Sequence, residues 1–305
     1  MKGIIKMNNN EKNNIFNSVY FHSASDMHEI PDNFVDVIVT SPPYFNIKDY
    51  FKDGRQDKVI SEANEGDIGN TETLDQYLTL LLSVWKECHR VLKPNGKLCV
   101  NVPLMPMLKK DMHTHYNRDI FDLQSQIQNS ILNNTEFYLM DLYIWNRKNS
   151  TKRLMFGSYP YPANFYAQNT TEFIAVYVKD GKPEKKSEEI KEKSKLTQKE
   201  WVEYTKQIWD IAIPNKSDLA FGIHSAIMPE EIAKRCIKLF SFVDGVVLDP
   251  FTGSGTTLKV AKELGRKYIG YELYTNYKDI IERKINSVDS IGGQFMSHGE
   301  WGDSE

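Results

Sequence analysis

Two short apolar runs, each ending in an abrupt polar corner, constrain the fold of this chain more than anything else in it. Val35-Asp36-Val37-Ile38-Val39 leads into Thr40-Ser41-Pro42-Pro43-Tyr44, and Val246-Val247-Leu248 leads into Asp249-Pro250-Phe251-Thr252-Gly253-Ser254-Gly255-Thr256. Short runs rich in valine, isoleucine and leucine read as strands buried on both faces, the form that parallel sheets require. In an open α/β sheet, ligands lie just beyond the carboxyl ends of such strands. One corner is a compact, proline-fixed polar loop and the other a glycine-rich turn. Together they predict a site where a bound cofactor meets a second substrate.

Bulk properties set the frame. The 305 residues give room for one large α/β domain plus a smaller module, and a 40% hydrophobic, 12% aromatic composition supports a sizeable core. No apolar run approaches the ~20 residues that span a bilayer, so no membrane partner is expected. The start, Met1-Lys2-Gly3-Ile4-Ile5-Lys6 and an asparagine-rich stretch, lacks the apolar region of a secretory signal. Cys88, Cys99 and Cys236 are scattered, without metal-ligand spacing, which predicts a reducing, cytoplasmic location. The formal net charge of −3 does not advertise nucleic-acid binding, so any basic surface has to be local.

Along the chain, residues 16–21 read as a strand and 45–70 as a mobile polar loop. Apolar positions from Leu74 to Leu92 repeat with helical spacing, and Lys93-Pro94-Asn95-Gly96 stops that helix before a strand over 97–102. A helix over 119–133 and strands over 139–145 and 172–178 follow. Lys179–Lys199 is a solvated excursion of mixed charge. Pro229-Glu230-Glu231 opens a helix whose buried face is Ile232, Cys236, Ile237, Leu239 and Phe240. The last block reads strand 246–248, glycine turn, helix 256–264, Gly265 as stop, and a strand over 268–271 ending at Glu272.

The glycine corner has the build of a nucleotide half-site. Gly253 and Gly255 permit positive φ and close backbone approach, and the helix behind them offers free amide groups. Glu272, at the tip of the next strand, is placed to accept hydrogen bonds from ribose hydroxyls. Asp249 departs from the dinucleotide pattern, because a carboxylate at the strand tip repels a pyrophosphate. An ammonium-bearing cofactor without phosphate, such as S-adenosylmethionine, suits it better. A lone glycine pair is as readily a plain tight turn; Asp249 and Glu272 tip the balance.

At the other corner, two prolines fix φ and remove two amide donors, leaving carbonyls free to face a substrate. An exocyclic amine on a nucleobase is a poor nucleophile because its lone pair is delocalised into the ring. The Ser41 hydroxyl and the Pro42 carbonyl, accepting its two N–H protons, would draw the nitrogen towards a tetrahedral shape. Tyr44 offers a face on which an extruded base could stack. The bland alternative is a Pro-Pro turn that ends a strand beside an exposed tyrosine.

Ser41-Pro42-Pro43-Tyr44 followed by Asp249 to Gly255, with Arg90-Val91-Leu92-Lys93-Pro94-Asn95-Gly96 between them, resembles the β-class S-adenosylmethionine-dependent DNA amino-methyltransferases. The resemblance covers most of the chain and has the catalytic motif before the cofactor motif. It implies an α/β fold with a seven-stranded, mostly parallel sheet flanked by helices. It also implies catalytic residues Ser41, Pro42, Pro43 and Tyr44. Cofactor contacts would come from Asp249, Pro250, Phe251, Gly253, Ser254, Gly255, Thr256 and Glu272. Ile208-Trp209-Asp210 with His224 and Pro229 resembles the segment that helps close the cofactor site, although Ser225 stands where the family often has proline. Asp26 falls where the family places an acid near the adenine.

By the same reading, residues 14–145 are the catalytic half, 146–207 the target-recognition region and 208–288 the cofactor half. Arg147, Lys148, Lys152 and Arg153 interleave with Phe156, Tyr159, Tyr161, Phe165 and Tyr166, as expected of phosphate contacts plus stacking. No cysteine follows a proline, which argues against covalent cytosine C5 chemistry. Serine at the first motif position resembles the N4-cytosine members, although some N6-adenine enzymes carry it too. His113 and His115 read as part of a polar loop, not as metal ligands. The expected partners are double-stranded DNA and a cognate restriction endonuclease, with monomer and homodimer both open. The rivals are an amino-methyltransferase for RNA or protein amides and a non-catalytic DNA-binding relative.

Overall fold

The computed structural model describes residues 15–45, 67–71, 73–106, 120–149, 158–163, 167, 169–224 and 226–296. Most of the 45–70 loop, His113, His115, Lys152, Arg153, Phe156, Phe165, Tyr166 and Ser225 lie outside them. The strands are β1 (Ser18–Tyr20), β2 (Val35–Thr40), β3 (Leu92–Pro103), the short pair β4 (Met105–Pro106) and β5 (Ile120–Phe121), β6 (Phe137–Arg147), β7 (Thr171–Lys179), β8 (Ile208–Ile211), β9 (Val246–Asp249) and β10 (Lys267–Tyr271). The main sheet runs β1-β10-β9-β2-β3-β7-β6-β8. Its one antiparallel member among the described strands is β7, set between β3 and β6. Among the described residues the sheet therefore has eight strands where the resemblance implies seven. Ile208–Ile211 pairs in parallel with Ile144–Arg147 and extends the edge.

The helices are α1 (Leu74–Val91), α2 (Leu123–Asn134), α3 (Glu188–Lys193), α4 (Gln198–Tyr204), α5 (Glu230–Phe240), α6 (Thr256–Glu263) and α7 (Lys278–Met296). Strand side chains alternate between two cores. Ile38, Leu98, Val100 and Leu248 pack with Leu81, Trp85, Ile127 and Ile131 of α1 and α2. Val37, Val39, Cys99 and Val247 pack with Ile232, Cys236, Leu258 and Ile281 of α5, α6 and α7. Both faces of the sheet are covered, which is why the central strands are apolar without interruption.

Local chemistry sets the boundaries. Thr73 opens α1 with a capping box, its hydroxyl accepting from Gln76 N while the Gln76 side chain accepts from Thr73 N. The turn expected at Lys93–Gly96 lies inside β3, because Leu92 already pairs with Val35 before Lys97 pairs with Val37. Asn95, at φ 64°, takes up the irregularity. Lys179–Lys199 carries α3 and the start of α4, with exposed pairs such as Lys191–Glu188. Such exposed pairs contribute little. Among the described residues no helix is long and apolar enough to cross a membrane.

Gly270 brings α6 and the glycine turn close to β10. A Cβ there would lie 2.5 Å from Thr252 Oγ1 and 2.7 Å from Leu258 Cδ1. Gly270→Ala is therefore expected to cost about 1–3 kcal/mol through overpacking. Denaturant melts of the variant and parent check this.

Candidate active site

The chain leaves β2 for α1 and β3 on one side, and leaves β9 for α6 and β10 on the other. Since β2 and β9 are parallel neighbours, with Val37 opposite Val247, their carboxyl ends open at a topological switch point. The two corners meet there. Thr40 Oγ1 donates to Asp249 Oδ1 at 2.7 Å, and Thr257 Oγ1 donates to the Val39 carbonyl at 3.3 Å. Ser41 and the glycine turn thus lie on adjacent strand ends, although more than 200 residues separate them.

The proline loop is fixed from beneath. Ser41 Oγ donates to the Asn101 carbonyl at 3.1 Å and lies 3.1 Å from Tyr44 Oη. With its single proton on that carbonyl, the serine oxygen accepts from the Tyr44 hydroxyl and keeps one lone pair for a further donor. The Asn101 amide donates to Glu172 Oε2 (3.1 Å) and the Phe173 carbonyl (3.2 Å), and Arg147 Nη1 reaches Glu172 Oε1 at 3.3 Å. Burial pushes the Glu172 carboxyl above its ordinary range, against the pull of Arg147. Tyr77 donates to the Pro43 carbonyl at 2.9 Å, and its buried phenol is pushed upward and stays protonated. Pro42 is buried, and among the described residues no donor reaches its carbonyl. Of the two proline carbonyls, that of Pro42 keeps both lone pairs and that of Pro43 shares its oxygen with Tyr77.

At the glycine turn, Gly253 and Gly255 adopt φ 51° and 86°. These are left-handed values that favour glycine. Glu272 holds the turn: its Oε2 accepts Gly253 N at 2.8 Å and its Oε1 accepts Tyr274 N at 2.9 Å. Asp249 Oδ1 accepts Phe251 N at 3.1 Å as well as the Thr40 hydroxyl. Burial raises Asp249 to about 6 and Glu272 to about 7, with Asp249 adding to the rise at Glu272. Among the described residues neither carboxyl has a lysine, arginine or histidine partner. Phe251 meets Trp85 edge-on at 6.0 Å, and Pro250 is buried beside it.

His224 covers the turn, its Nε2 lying 2.9 Å from where a Cβ on Gly253 would be. The Ala226 amide donates to His224 Nδ1 at 3.2 Å, which leaves the proton on Nε2 in the neutral ring. Ser254 and Thr256 are buried and accept from the Lys284 ammonium at 3.3 and 2.9 Å. A short turn crosses between the two corners. A Cβ on Gly69 would stand 3.3 Å from Pro43 Cβ, while Asp67 Oδ2 accepts the Tyr274 hydroxyl at 2.7 Å.

Two predicted elements lie elsewhere. Asp26 is exposed and accepts His28 N at 3.1 Å, with no link to the glycine turn among the described residues. Glu29, three residues on, instead accepts the hydroxyl of Tyr271 at 2.9 Å. Ile208-Trp209-Asp210 is part of the β8 edge, where Trp209 is buried and stacks on Tyr143 at 4.5 Å. The segment that reaches the glycine turn comes later, from Asp218 to His224. The sequence alone assigns no role to Thr40, Tyr77, Asn101, Glu172, Asp218 or Lys284. Thr40 and Asn101 did carry a signal, as polar residues at the ends of apolar strands.

A family model of N6/N4 type, described as DNA methylase, matches residues 35–283, from the first residue of β2 well into α7. The type II methyltransferase M.MjaI of Methanocaldococcus jannaschii is 32% identical over 88% of this chain and 90% of its own length. M.MthZI of Methanothermobacter thermautotrophicus, also a type II methyltransferase, is 28% identical over 91% of this chain and 79% of its own. Among solved structures, the DNA modification methylase TTHA0409 of Thermus thermophilus, complexed with S-adenosyl-L-methionine, superposes with a TM-score of 0.68 at 27% identity. That match covers 88% of this chain and 93% of the other.

Proposed function

The chain belongs to the DNA methylase family of N6/N4 type, and on that premise we propose that the atom it methylates is N4 of a cytosine in double-stranded DNA. S-adenosylmethionine is the methyl donor. The residues fit that cofactor: two buried carboxyls, without a cationic partner among the described residues, stand at a glycine turn that favours no phosphate. They suit a ligand that brings its own ammonium and ribose hydroxyls. Asp249, Pro250, Phe251, Gly253, Ser254, Gly255, Thr256 and Glu272 would hold it, with His224 above. Bound there, it supplies an electrophilic methyl on a sulfonium.

The protein's own share is positioning. The remaining lone pair of Ser41 Oγ and the unbonded Pro42 carbonyl accept the two N–H protons of the target amine. The nitrogen lone pair is then drawn out of conjugation with the ring. Tyr44 provides the stacking face for the extruded base. Fixed acceptors of this kind lower the barrier because they need no reorganisation at the moment of transfer. The Thr40–Asp249 hydrogen bond carries this reading above all, since it sets the amine-binding corner beside the cofactor corner.

Serine at the first position of Ser41-Pro42-Pro43-Tyr44 favours cytosine N4; adenine N6 is the second reading, since both amines are conjugated to a ring nitrogen. The type II relatives favour a role in restriction–modification, beside a cognate endonuclease. Lys148, Tyr159 and Tyr161, all exposed, would belong to the DNA-reading surface, whereas Arg147 is tied to Glu172 and the Asn169 carbonyl. The test is methyl transfer from labelled cofactor to duplex DNA, RNA and protein, with the DNA product hydrolysed to nucleosides. The expected product is N4-methyldeoxycytidine. N6-methyldeoxyadenosine would overturn the base, and label in RNA or protein alone would overturn the substrate.

A further inference from the structure

Lys284, on α7, is the most deeply buried charged side chain among the described residues, at 1% exposure. Its ammonium lies 2.9 Å from Asp218 Oδ1, 2.9 Å from Thr256 Oγ1 and 3.3 Å from Ser254 Oγ. The surroundings are doubly unfavourable to a cation: burial disfavours the charge, and the amino end of α6 presents the positive pole of its dipole. Asp218 is the carboxylate that offsets both. Ser254 and Thr256 belong to the glycine turn. Asp218 begins the turn that ends at His224, with its Oδ1 accepting Ala220 N at 2.8 Å and Ala220 O accepting Ile223 N and His224 N at 2.9 and 3.0 Å. One ammonium thus joins the turn beneath the cofactor position to the segment that lays His224 over Gly253.

We propose that Lys284 and Asp218 are positioning residues for cofactor binding, a buried ionic latch that holds His224 against the glycine turn. The inference rests on the cofactor reading above and assigns that site its closing device. Its physical basis is preorganisation. A segment already fixed over the turn gives up less freedom when the ligand binds. Neither latch residue touches the amine-binding corner, so the effect falls on cofactor affinity and not on the rate at saturation.

The test compares Lys284→Met, Asp218→Asn and the double variant. Each single change leaves a buried group without its partner, so both lower the thermal midpoint. The double variant buries no unpaired charge and regains most of the lost stability. It is still expected to bind S-adenosylmethionine on the order of tenfold more weakly, with kcat at saturating cofactor and KM for DNA close to parent. A double variant with parent cofactor affinity would show that the pair serves stability alone, and would overturn the proposal. Amide exchange at Ile223 and His224, measured without cofactor, tests the latch separately. Faster exchange in the double variant is expected. Unchanged exchange overturns the latch whatever the protein binds, whereas a parent protein that ignores the cofactor but shows faster exchange in the variant overturns only the cofactor reading.

Discussion

Replacing Ser41 with alanine is expected to lower kcat for methyl transfer on the order of 10²-fold, the loss typical of removing one fixed polar contact to a reacting centre. The argument begins with the hydroxyl proton. Ser41 Oγ donates it to the Asn101 carbonyl at 3.1 Å, so the oxygen can face a substrate only as an acceptor. Alanine removes that acceptor and leaves the Pro42 carbonyl to hold the amine alone. The fold should tolerate the change at about 1–2 kcal/mol, since two half-buried hydrogen bonds, to the Asn101 carbonyl and with Tyr44 Oη, are lost and no cavity larger than an oxygen forms. The glycine turn is untouched, so cofactor affinity stays within about twofold by the usual independence of sites without shared partners. Single-turnover rates paired with cofactor calorimetry on the same samples check both halves. Parent rates in Ser41→Ala would remove the serine from the chemistry.

Much of this site was legible in the sequence because its two corners are local features. A Val/Ile/Leu run followed by Ser41-Pro42-Pro43-Tyr44, or by Asp249-Pro250-Phe251-Thr252-Gly253, carries strand, turn and ligand chemistry in a few consecutive residues. Helix α1 is legible for the same reason, through its apolar period and the Lys93-Pro94-Asn95-Gly96 stop, whereas its Thr73 cap emerges only in the structure. What could not be read depends on partners far apart in sequence. Ile208–Ile211 is too short, and at Ile208 and Asp210 too exposed, to announce a strand; it becomes one only because the edge of β6 is open. Lys284 sits in Glu282-Arg283-Lys284, which reads as a solvated charged face until Asp218 is found opposite it. Glu272 was read as a ribose ligand, whereas in the structure both its oxygens accept from backbone amides. Its second lone pairs remain for a ligand, but the visible work of the side chain is to shape the turn. Asn101 is similar: its position at a strand end was visible, but its hold on Ser41 was not.

The carboxyl pair at the glycine turn gives the second large effect. Burial raises Asp249 to about 6 and Glu272 to about 7, so the folded protein without ligand holds their protons more tightly than the unfolded chain does. For an acid shifted upward, the stabilising contribution is complete below the unfolded pKa and is lost as pH rises through the folded one. These two groups should therefore lower the thermal midpoint of the ligand-free protein between about pH 4 and 7. A cation bound at the turn favours the ionised carboxylates, so cofactor affinity should rise over that same window and binding should release protons. Asp249→Asn keeps an acceptor for the Thr40 hydroxyl and for Phe251 N, and removes only the charge. It is expected to weaken cofactor binding by about 10²-fold, at the lower end for truncating one member of a buried charge pair, and to flatten the pH dependence. Calorimetry in buffers of different ionisation enthalpy measures affinity and proton release together. Equal affinity in Asp249→Asn, with no protons released by the parent at pH 6, would mean that the strand-tip carboxyl meets no positive charge.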